Sequence, residues 1–213
     1  MRMKPTAAEY EQALIERHSR PVYERLRCAR VAIAGLGGLG SNIAVSLARA
    51  GVGELLLVDC DRVELSNLNR QQYDVEDLGR LKTEALHERL ARINPYITLR
   101  HLTVRVEAAN AAEIFGSYGI VCEAFDRAEE KAMLINTLLE CCPQMTIVGG
   151  SGMAGLLSAN MITTRRVFRR LYVCGDGVSD MAEAAELLAP RVAVCANHEA
   201  HMVLRLILGE TDV

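Results

Sequence analysis

Residues 30–71 read RVAIAGLGGLGSNIAVSLARAGVGELLLVDCDRVELSNLNRQ, and this stretch decides the fold. A short apolar run over residues 30–34 leads into a glycine-rich turn, which opens a helical pattern over residues 41–50. A second apolar run follows over residues 54–58 and ends at Asp59. Two continuous apolar strands joined by a helix are typical of a parallel sheet that is covered on both faces.

The glycines have the spacing of a dinucleotide-binding fingerprint, Gly35-x-Gly37-Gly38-x-Gly40. Gly35 permits a tight turn, and Gly40 lets the helix pack close to the strand. Gly37 and Gly38 let the backbone approach a phosphate, and the helix N-terminus offers free N–H groups to it. Asp59 ends the next strand, where a carboxylate can bind ribose hydroxyls. The pattern predicts a nucleotide site; the alternative is a structural turn followed by a chance acid.

The remaining sequence continues the alternation of helices and strands, after a charged helical segment over residues 7–27. We predict helices over residues 80–93, 108–115, 127–141 and 194–208, strands over residues 97–105, 119–123 and 145–148, two antiparallel strands over residues 156–163 and 167–174, and a short helix or mobile loop over residues 181–189. This order predicts an α/β fold, a doubly wound, mostly parallel, Rossmann-like sheet with a short antiparallel C-terminal extension.

The length predicts one domain over residues 1–213. Within it we expect an N-terminal helical segment over residues 1–27 and a nucleotide-binding core over residues 28–150. Residues 151–213 would then form the antiparallel extension and the final helix.

Composition narrows the class of protein. The net charge of −3 gives no support for a nucleic-acid or membrane partner. The seven cysteines are odd in number and include no CxxC pair, so we expect free thiols in a reducing compartment and no structural zinc. The N-terminus lacks the apolar region of a signal peptide, and no apolar run is long enough to span a membrane. We therefore expect a cytoplasmic protein.

A polar segment after the acidic strand end points to a triphosphate. It reads SNLNRQ over residues 66–71, and Lys82 follows Arg70 along the chain. Arginine can form paired hydrogen bonds with phosphate oxygens, and lysine supplies a point charge. Asp126 follows the strand over residues 119–123, at the sheet edge where ligands bind, and can hold Mg²⁺. The alternatives are a loop salt bridge for Arg70, an exposed helix residue for Lys82 and a helix N-cap for Asp126.

Several sequence elements resemble the ThiF/MoeB/ubiquitin-activating-enzyme superfamily. They are GLGGLGSNIAVSLARAGVG, VDCDRVELSNLNRQ, GRLKTEAL, RINP and the position of Asp126. The resemblance is strong over residues 28–150, and the length and tail are most similar to short bacterial ThiF-like proteins of thiamine biosynthesis. It implies a homodimeric enzyme that uses ATP and Mg²⁺ to adenylylate the C-terminal glycine of a ThiS-like β-grasp sulfur carrier ending in Gly-Gly, with release of pyrophosphate.

The resemblance also implies roles for individual residues. The residues expected to bind the nucleotide are Gly35, Gly37, Gly38, Gly40, Asp59, Asp61, Asn67, Arg70 and Lys82. The residues expected to take part in catalysis are Arg70, Lys82, Asp126 and Arg20. Asp126 is also expected to bind Mg²⁺. Arg20, or else Arg17, is the candidate arginine that reaches the partner subunit's ATP; the alternative is a solvated helix face.

Some relatives carry a cysteine that accepts sulfur or the carrier protein, and two cysteines are candidates for this role. Cys174 precedes a glycine-rich stretch, and Cys195 lies near the predicted start of the last helix, whose dipole would lower its pKa. Each is also a small apolar residue of the kind that proteins bury.

Two other functions remain open at this point. An NAD(P)-dependent oxidoreductase would account for the glycine loop and Asp59, but it would leave SNLNRQ without a role. A non-catalytic module that binds the nucleotide or the carrier would account for the same motifs without turnover.

Overall fold

The structure is a computed structural model that describes residues 4–179 and 186–213. Its centre is a seven-stranded sheet whose strands are β1 (Arg30–Ala34), β2 (Glu54–Asp59), β3 (Thr98–Thr103), β4 (Ile120–Glu123), β5 (Thr146–Gly150), β6 (Thr163–Phe168) and β7 (Leu171–Gly175). They lie in the order β3-β2-β1-β4-β5-β7-β6. All neighbouring pairs are parallel except β6 with β7.

Helices cover both faces of this sheet. They are α1 (Ala7–His18), α2 (Arg20–Cys28), α3 (Gly38–Ala50), α4 (Lys82–Ile93), α5 (Ala108–Phe115), α6 (Ala128–Cys141) and α7 (Ala189–Ile207). One core lies between the sheet and α2, α3, α4 and α7, and a second lies between the sheet and α5 and α6. The doubly wound, mostly parallel α/β fold predicted from the sequence is therefore confirmed. No described helix has the length and apolar character that crossing a membrane requires.

Alternation along β1 shows how one strand serves both cores. Val31 and Ile33 belong to the first core, and Ala32 and Ala34 belong to the second. Successive side chains of a strand point to opposite faces, so a strand buried on both sides reads as a continuous apolar run.

The antiparallel extension differs from the prediction in its position. The predicted strand over residues 156–163 is wrong, because residues 159–161 form a 3-10 turn in which the Ser158 hydroxyl accepts a hydrogen bond from the Asn160 N–H. The observed β6 begins at Thr163 and folds back onto β7. Since β7 is itself parallel to β5, the extension continues the main sheet.

Two proline residues explain shifts in the helices. The predicted helical segment over residues 7–27 is broken at Ser19, because Pro21 in the first turn of α2 cannot continue α1. The last helix begins at Ala189 rather than at residue 194, with Pro190 in its first turn, where no intrahelical N–H is needed. Residues 180–185 lie outside the described part of the chain and include most of the short element predicted over residues 181–189.

A buried ion pair fixes the start of α7 to the end of β7. Arg191 donates to the Asp176 carboxylate and to the carbonyl oxygens of Leu157 and Ser158, and both charged residues are buried. Burial raises the pKa of Asp176, but hydrogen bonds from the backbone N–H groups of Ser179 and Val178 outweigh it and lower the pKa to about 2. The pair thus connects three segments of the tail.

We predict that Arg191→Met destabilises the protein by about 3–5 kcal/mol, because it leaves the Asp176 carboxylate buried without its partner. Urea unfolding at neutral pH measures this. Arg205→Met on the same helix is the matched control: Arg205 pairs with Asp212, whose side chain is 84% exposed, so about 1 kcal/mol or less is expected. Equal losses in the two variants would contradict the role of the buried pair.

A second buried acid, Glu199, lies in the middle of α7. Glu199 of α7 is fully buried, and neither of its carboxylate oxygens accepts a hydrogen bond from the described residues. It lies against the backbone of Gly150, where a Cβ would come within 2.6 Å of a carboxylate oxygen. Burial raises the pKa of Glu199 well above its usual range, with Lys131 opposing the shift. The folded protein therefore favours the protonated form of this side chain.

We predict that Glu199→Gln makes stability less dependent on pH. Above the ordinary glutamate pKa of 4.5, the unfolded wild-type chain ionises while the folded chain keeps its proton, so wild-type stability falls as pH rises. Glutamine cannot ionise, so the stability of the variant relative to the wild type should increase from about pH 5 to about pH 8. Thermal unfolding over this range tests it, and a difference that does not change with pH would contradict the prediction.

Candidate functional site

The largest concentration of predicted site residues lies in a cleft of about 790 Å³ at the carboxyl ends of the parallel strands. The strand order reverses between β1 and β4, and this is where open α/β sheets bind ligands. The predicted residues that line the cleft are Gly35, Gly37, Gly38, Asp59, Asp61, Asn67, Arg70, Lys82 and Asp126. Gly40 lies behind the loop, and Arg20 does not line the cleft of its own chain.

The glycine loop places the start of α3 at this cleft. Gly35 has a φ of +88°, a conformation that side chains rarely adopt, and a Cβ there would lie 2.8 Å from the Ala124 carbonyl oxygen. A Cβ on Gly40 would lie 1.9 Å from the carbonyl oxygen of Gly35. Gly37 is the N-cap residue of α3 and has no side chain that could accept hydrogen bonds from the first-turn N–H groups, so these groups can bind an anion.

Asp59 connects the end of β2 to this loop. It is 9% exposed, and its two carboxylate oxygens accept hydrogen bonds from the N–H of Leu36 at 2.6 Å and from the N–H of Asp61 at 2.8 Å. Each carboxylate oxygen can accept a further bond. The carboxylate is thus fixed at the rim of the cleft with capacity to bind hydroxyl groups.

Arg70 is oriented by the segment that precedes it. Its guanidinium donates to the Ser66 carbonyl oxygen at 3.0 Å and to the Asn69 side chain at 2.8 Å. Asn67 is buried and accepts the Glu64 N–H at 3.1 Å, which closes the turn. Burial lowers the pKa of Arg70 and nearby Asp126 opposes this, yet an arginine keeps its charge in proteins. The polar segment therefore presents a cation to the cleft.

Lys82 begins α4 and is buried at 7% exposure. Its ammonium donates to the Asp61 carboxylate at 2.8 Å, and the Asp61 side chain is 63% exposed. An ammonium has three N–H donors, so Lys82 can keep this partner and still bind an anion. The alternative of an exposed helix residue does not hold.

Asp126 is exposed and has no hydrogen-bond or ion-pair partner among residues 4–179 and 186–213. It does not cap α6, because that helix is preceded by Arg127 and has no side-chain cap. Magnesium is typically held by one or two carboxylates together with substrate phosphates. A free carboxylate in a cleft that also offers Arg70, Lys82 and a helix N-terminus fits this pattern.

An ion pair that was not predicted from the sequence supports the loop that carries Asp126. Glu123, at the end of β4, is fully buried; it accepts the Lys131 ammonium at 2.5 Å and the Phe125 N–H at 2.8 Å. Burial raises the pKa of Glu123, and Lys131 opposes the shift. These contacts hold the loop that carries Asp126. The signal available in the sequence was an acid inside an apolar strand followed by a lysine in the next helix.

The candidate arginines of the N-terminal segment lie elsewhere. Arg20 is exposed, and its guanidinium is 3.9 Å from Glu11 and 4.0 Å from Glu24. Arg17 is also exposed. Neither contacts the cleft of its own chain, so a role at a nucleotide would need a second copy of the protein.

Both candidate cysteines are fully buried. Burial raises the pKa of Cys174 to about 12. The expected lowering of the Cys195 pKa is wrong: α7 begins at Ala189, which places Cys195 in its second turn, and burial raises the pKa. In this conformation both thiols are protonated and shielded from solvent.

A second cavity of about 890 Å³ lies between α7, β6 and the C-terminal residues. It contains none of the predicted site residues, and its lining includes Thr164, His198, His201 and Arg205. Of the two cavities, the cleft is the candidate functional site, because a helix N-terminus, cations and the exposed Asp126 carboxylate meet there.

Comparison with known proteins agrees with this fold. A model of the ThiF family matches residues 10–213. The fold is similar to the crystal structure of E. coli tRNA N6-threonylcarbamoyladenosine dehydratase, TcdA, in complex with ATP, with a TM-score of 0.83, 19% identity and coverage of 97% of this chain and 98% of that one. At this identity the likeness concerns the fold alone.

Three relatives share more of the sequence. The chain is 40% identical over 193 residues to the adenylyltransferase and sulfurtransferase UBA4 of Eremothecium gossypii, covering 87% of this chain and 43% of the relative. It is 42% identical over 104 residues to the sulfur carrier protein adenylyltransferase of Thermus thermophilus, covering 48% of this chain and 38% of the relative. It is 30% identical over 193 residues to the molybdopterin-synthase adenylyltransferase of Salmonella typhimurium, covering 86% and 75%.

The chain spans less than half the length of the first two relatives and three quarters of the third. The family match nevertheless extends from the first helix to the last residue of the sequence. This chain belongs to the ThiF family.

Proposed function

We propose that the protein is an ATP- and Mg²⁺-dependent adenylyltransferase. Its substrate would be the C-terminal glycine carboxylate of a small ThiS-like β-grasp sulfur carrier, in thiamine biosynthesis, and pyrophosphate would be released. The observation that supports this most is the meeting of the α3 N-terminus, Arg70, Lys82 and the free Asp126 carboxylate in one cleft of a ThiF-family chain. Three relatives named as adenylyltransferases support the reaction class.

The proposed reaction brings two anions together. A carboxylate oxygen of the carrier attacks the α-phosphorus of ATP, a new P–O bond forms, and the bond to pyrophosphate breaks. The carboxylate is already ionised at neutral pH, so the enzyme needs no general base. Catalysis would consist of positioning and of neutralising charge, which the preorganised donors of the α3 N-terminus, Arg70 and Lys82 would supply.

Each residue group has a place in this scheme. The α3 N-terminus and the glycine loop bind phosphate, and Asp59 accepts bonds from the ribose. Arg70, with Asn67 shaping its loop, and Lys82 neutralise the triphosphate. Asp126 would hold Mg²⁺, which screens phosphate charge when bound.

A homodimer completes this proposal. The cleft of one chain does not contain Arg20 or Arg17, and either residue could supply a further cation from a partner subunit. A cytoplasmic location is also part of the proposal, and the free cysteines are consistent with it.

A second candidate is a tRNA-modifying reaction like that of the E. coli dehydratase whose fold is shared over almost the whole chain. The net charge of −3 weighs against a nucleic-acid substrate. We therefore rank the carrier protein first and include tRNA in the test.

The test is ATP–pyrophosphate exchange with Mg²⁺ against a panel of β-grasp carriers ending in Gly-Gly. Each carrier is paired with a control that lacks the final glycine, and total tRNA is assayed in parallel. Exchange that requires one intact carrier supports the proposal and identifies the partner. Exchange with tRNA alone supports the second candidate. ATP binding without any exchange favours a non-catalytic module, and NADH binding in place of ATP favours an oxidoreductase.

We predict that Arg70→Ala and Lys82→Ala each reduce the exchange rate by about 10²–10³-fold, because each removes a cation that stabilises developing charge. Circular dichroism and thermal unfolding establish that the variants are folded. Arg49→Ala is the control: Arg49 is an exposed arginine near the end of α3, away from the cleft, and should exchange like the wild type. Wild-type rates in a folded Arg70 or Lys82 variant would refute the phosphate assignment.

A further inference from the structure

Two histidines meet on the side of the molecule formed by α4 and the edge strand β3. His87 lies in the middle of α4, and His101 lies in β3, where it is paired with Leu57 of β2. Their Nδ1 atoms are 3.2 Å apart, and the rings meet edge to face with centroids 4.9 Å apart. Both side chains are reached by solvent, since His101 is exposed and His87 is half-buried.

The distance between the two nitrogens matches that of neighbouring ligands on one metal ion. Metal–nitrogen bonds of about 2.0–2.1 Å at tetrahedral or right angles place two nitrogens about 2.9–3.4 Å apart. Imidazole nitrogen is a preferred ligand of zinc, nickel and copper ions. A hydrogen bond between one protonated and one free Nδ1 gives a similar distance, so the experiment must separate the two arrangements.

The backbone around the pair is held in place. One turn before His87, the Thr83 hydroxyl is 2.6 Å from the Thr103 hydroxyl, which follows His101 on the same face of β3. The two contacts tie the same helix to the same strand.

We propose that His87 and His101 form a two-histidine site for a late first-row divalent metal ion such as Ni²⁺ or Zn²⁺, which clamps α4 to β3. No further His, Cys, Asp or Glu of residues 4–179 and 186–213 lies close enough to complete a three-ligand cluster with this pair. Water molecules therefore complete the coordination. The site is separate from the nucleotide cleft, although α4 also carries Lys82 at its start.

The first test is isothermal titration of the purified full chain with Ni²⁺, chosen because the free thiols compete for Zn²⁺. His87→Ala and His101→Ala should each weaken binding by about tenfold or more, because each removes one of two protein ligands. His201→Ala, on α7 at the other cavity, is the matched control and should bind like the wild type. Equal affinity in the wild type and His101→Ala, or loss in His201→Ala alone, would overturn the proposal.

A second measurement needs no variant. The chain has five histidines, so their imidazole ¹⁵N signals can be resolved by NMR. Substoichiometric Ni²⁺ should broaden the signals of His87 and His101 before those of the other three. Broadening that begins at His198 and His201, or a pair that stays hydrogen-bonded and unaffected by the ion, would overturn the proposal.

Discussion

The half of the structure that carries the cleft depends on one steric constraint, the contact of Gly40 with the carbonyl oxygen of Gly35. A Cβ on Gly40 would lie 1.9 Å from that oxygen, so only glycine lets α3 pack so closely against β1. The N-terminus of α3 is thereby aimed at the carboxyl ends of the strands. Asp59 then accepts the Leu36 N–H at 2.6 Å and joins the loop to β2. The α3 N-terminus and the carboxylate at the rim are thereby fixed in place. In the proposed function this preorganisation reduces the cost of binding a nucleotide.

The cationic side chains of the cleft discussed above each have a partner within the chain. Lys82 is bound to Asp61, Lys131 to Glu123, and Arg70 to neutral oxygens of its own segment. An unpaired buried charge is costly in free energy, and these partners offset that cost, so the cations can stay partly buried when no ligand is bound. Asp61 is exposed and can be hydrated when Lys82 turns to an anion, whereas Glu123 is fully buried and keeps Lys131 in place. The first pair is thus suited to binding, and the second to supporting the loop.

Much of the fold could be predicted because the strands and helices carry their own periodicity. The helix over residues 108–115 was predicted with its observed bounds, and β1 likewise. The position of β6 could not be predicted, because Leu156 and Leu157 give residues 156–163 the apolar pattern of a strand although both side chains are exposed. The lining of the cleft by Arg70, Lys82 and Asp126 follows from strand ends meeting at one edge. The burial of Glu123 could not be predicted in this way. It depends on Gly149, its partner on the neighbouring strand, because a glycine has no side chain in the place where the carboxylate lies.

The distribution of cations bears on why the proposed enzyme would act as a dimer. Three of the cations that line the cleft are paired with acids in a single chain: Lys82 with Asp61, Arg105 with Glu130 and Lys131 with Glu123. Much of their charge is therefore already balanced when a triphosphate and an attacking carboxylate arrive. Among residues 4–179 and 186–213, Arg20 is held by ion pairs of 3.9 and 4.0 Å at the surface, contacts that contribute little and can be exchanged. An arginine that is weakly held in its own chain can move to a phosphate of another chain at low cost. In this proposal the partner subunit supplies a further cation to the cleft, and adenylylation is coupled to assembly.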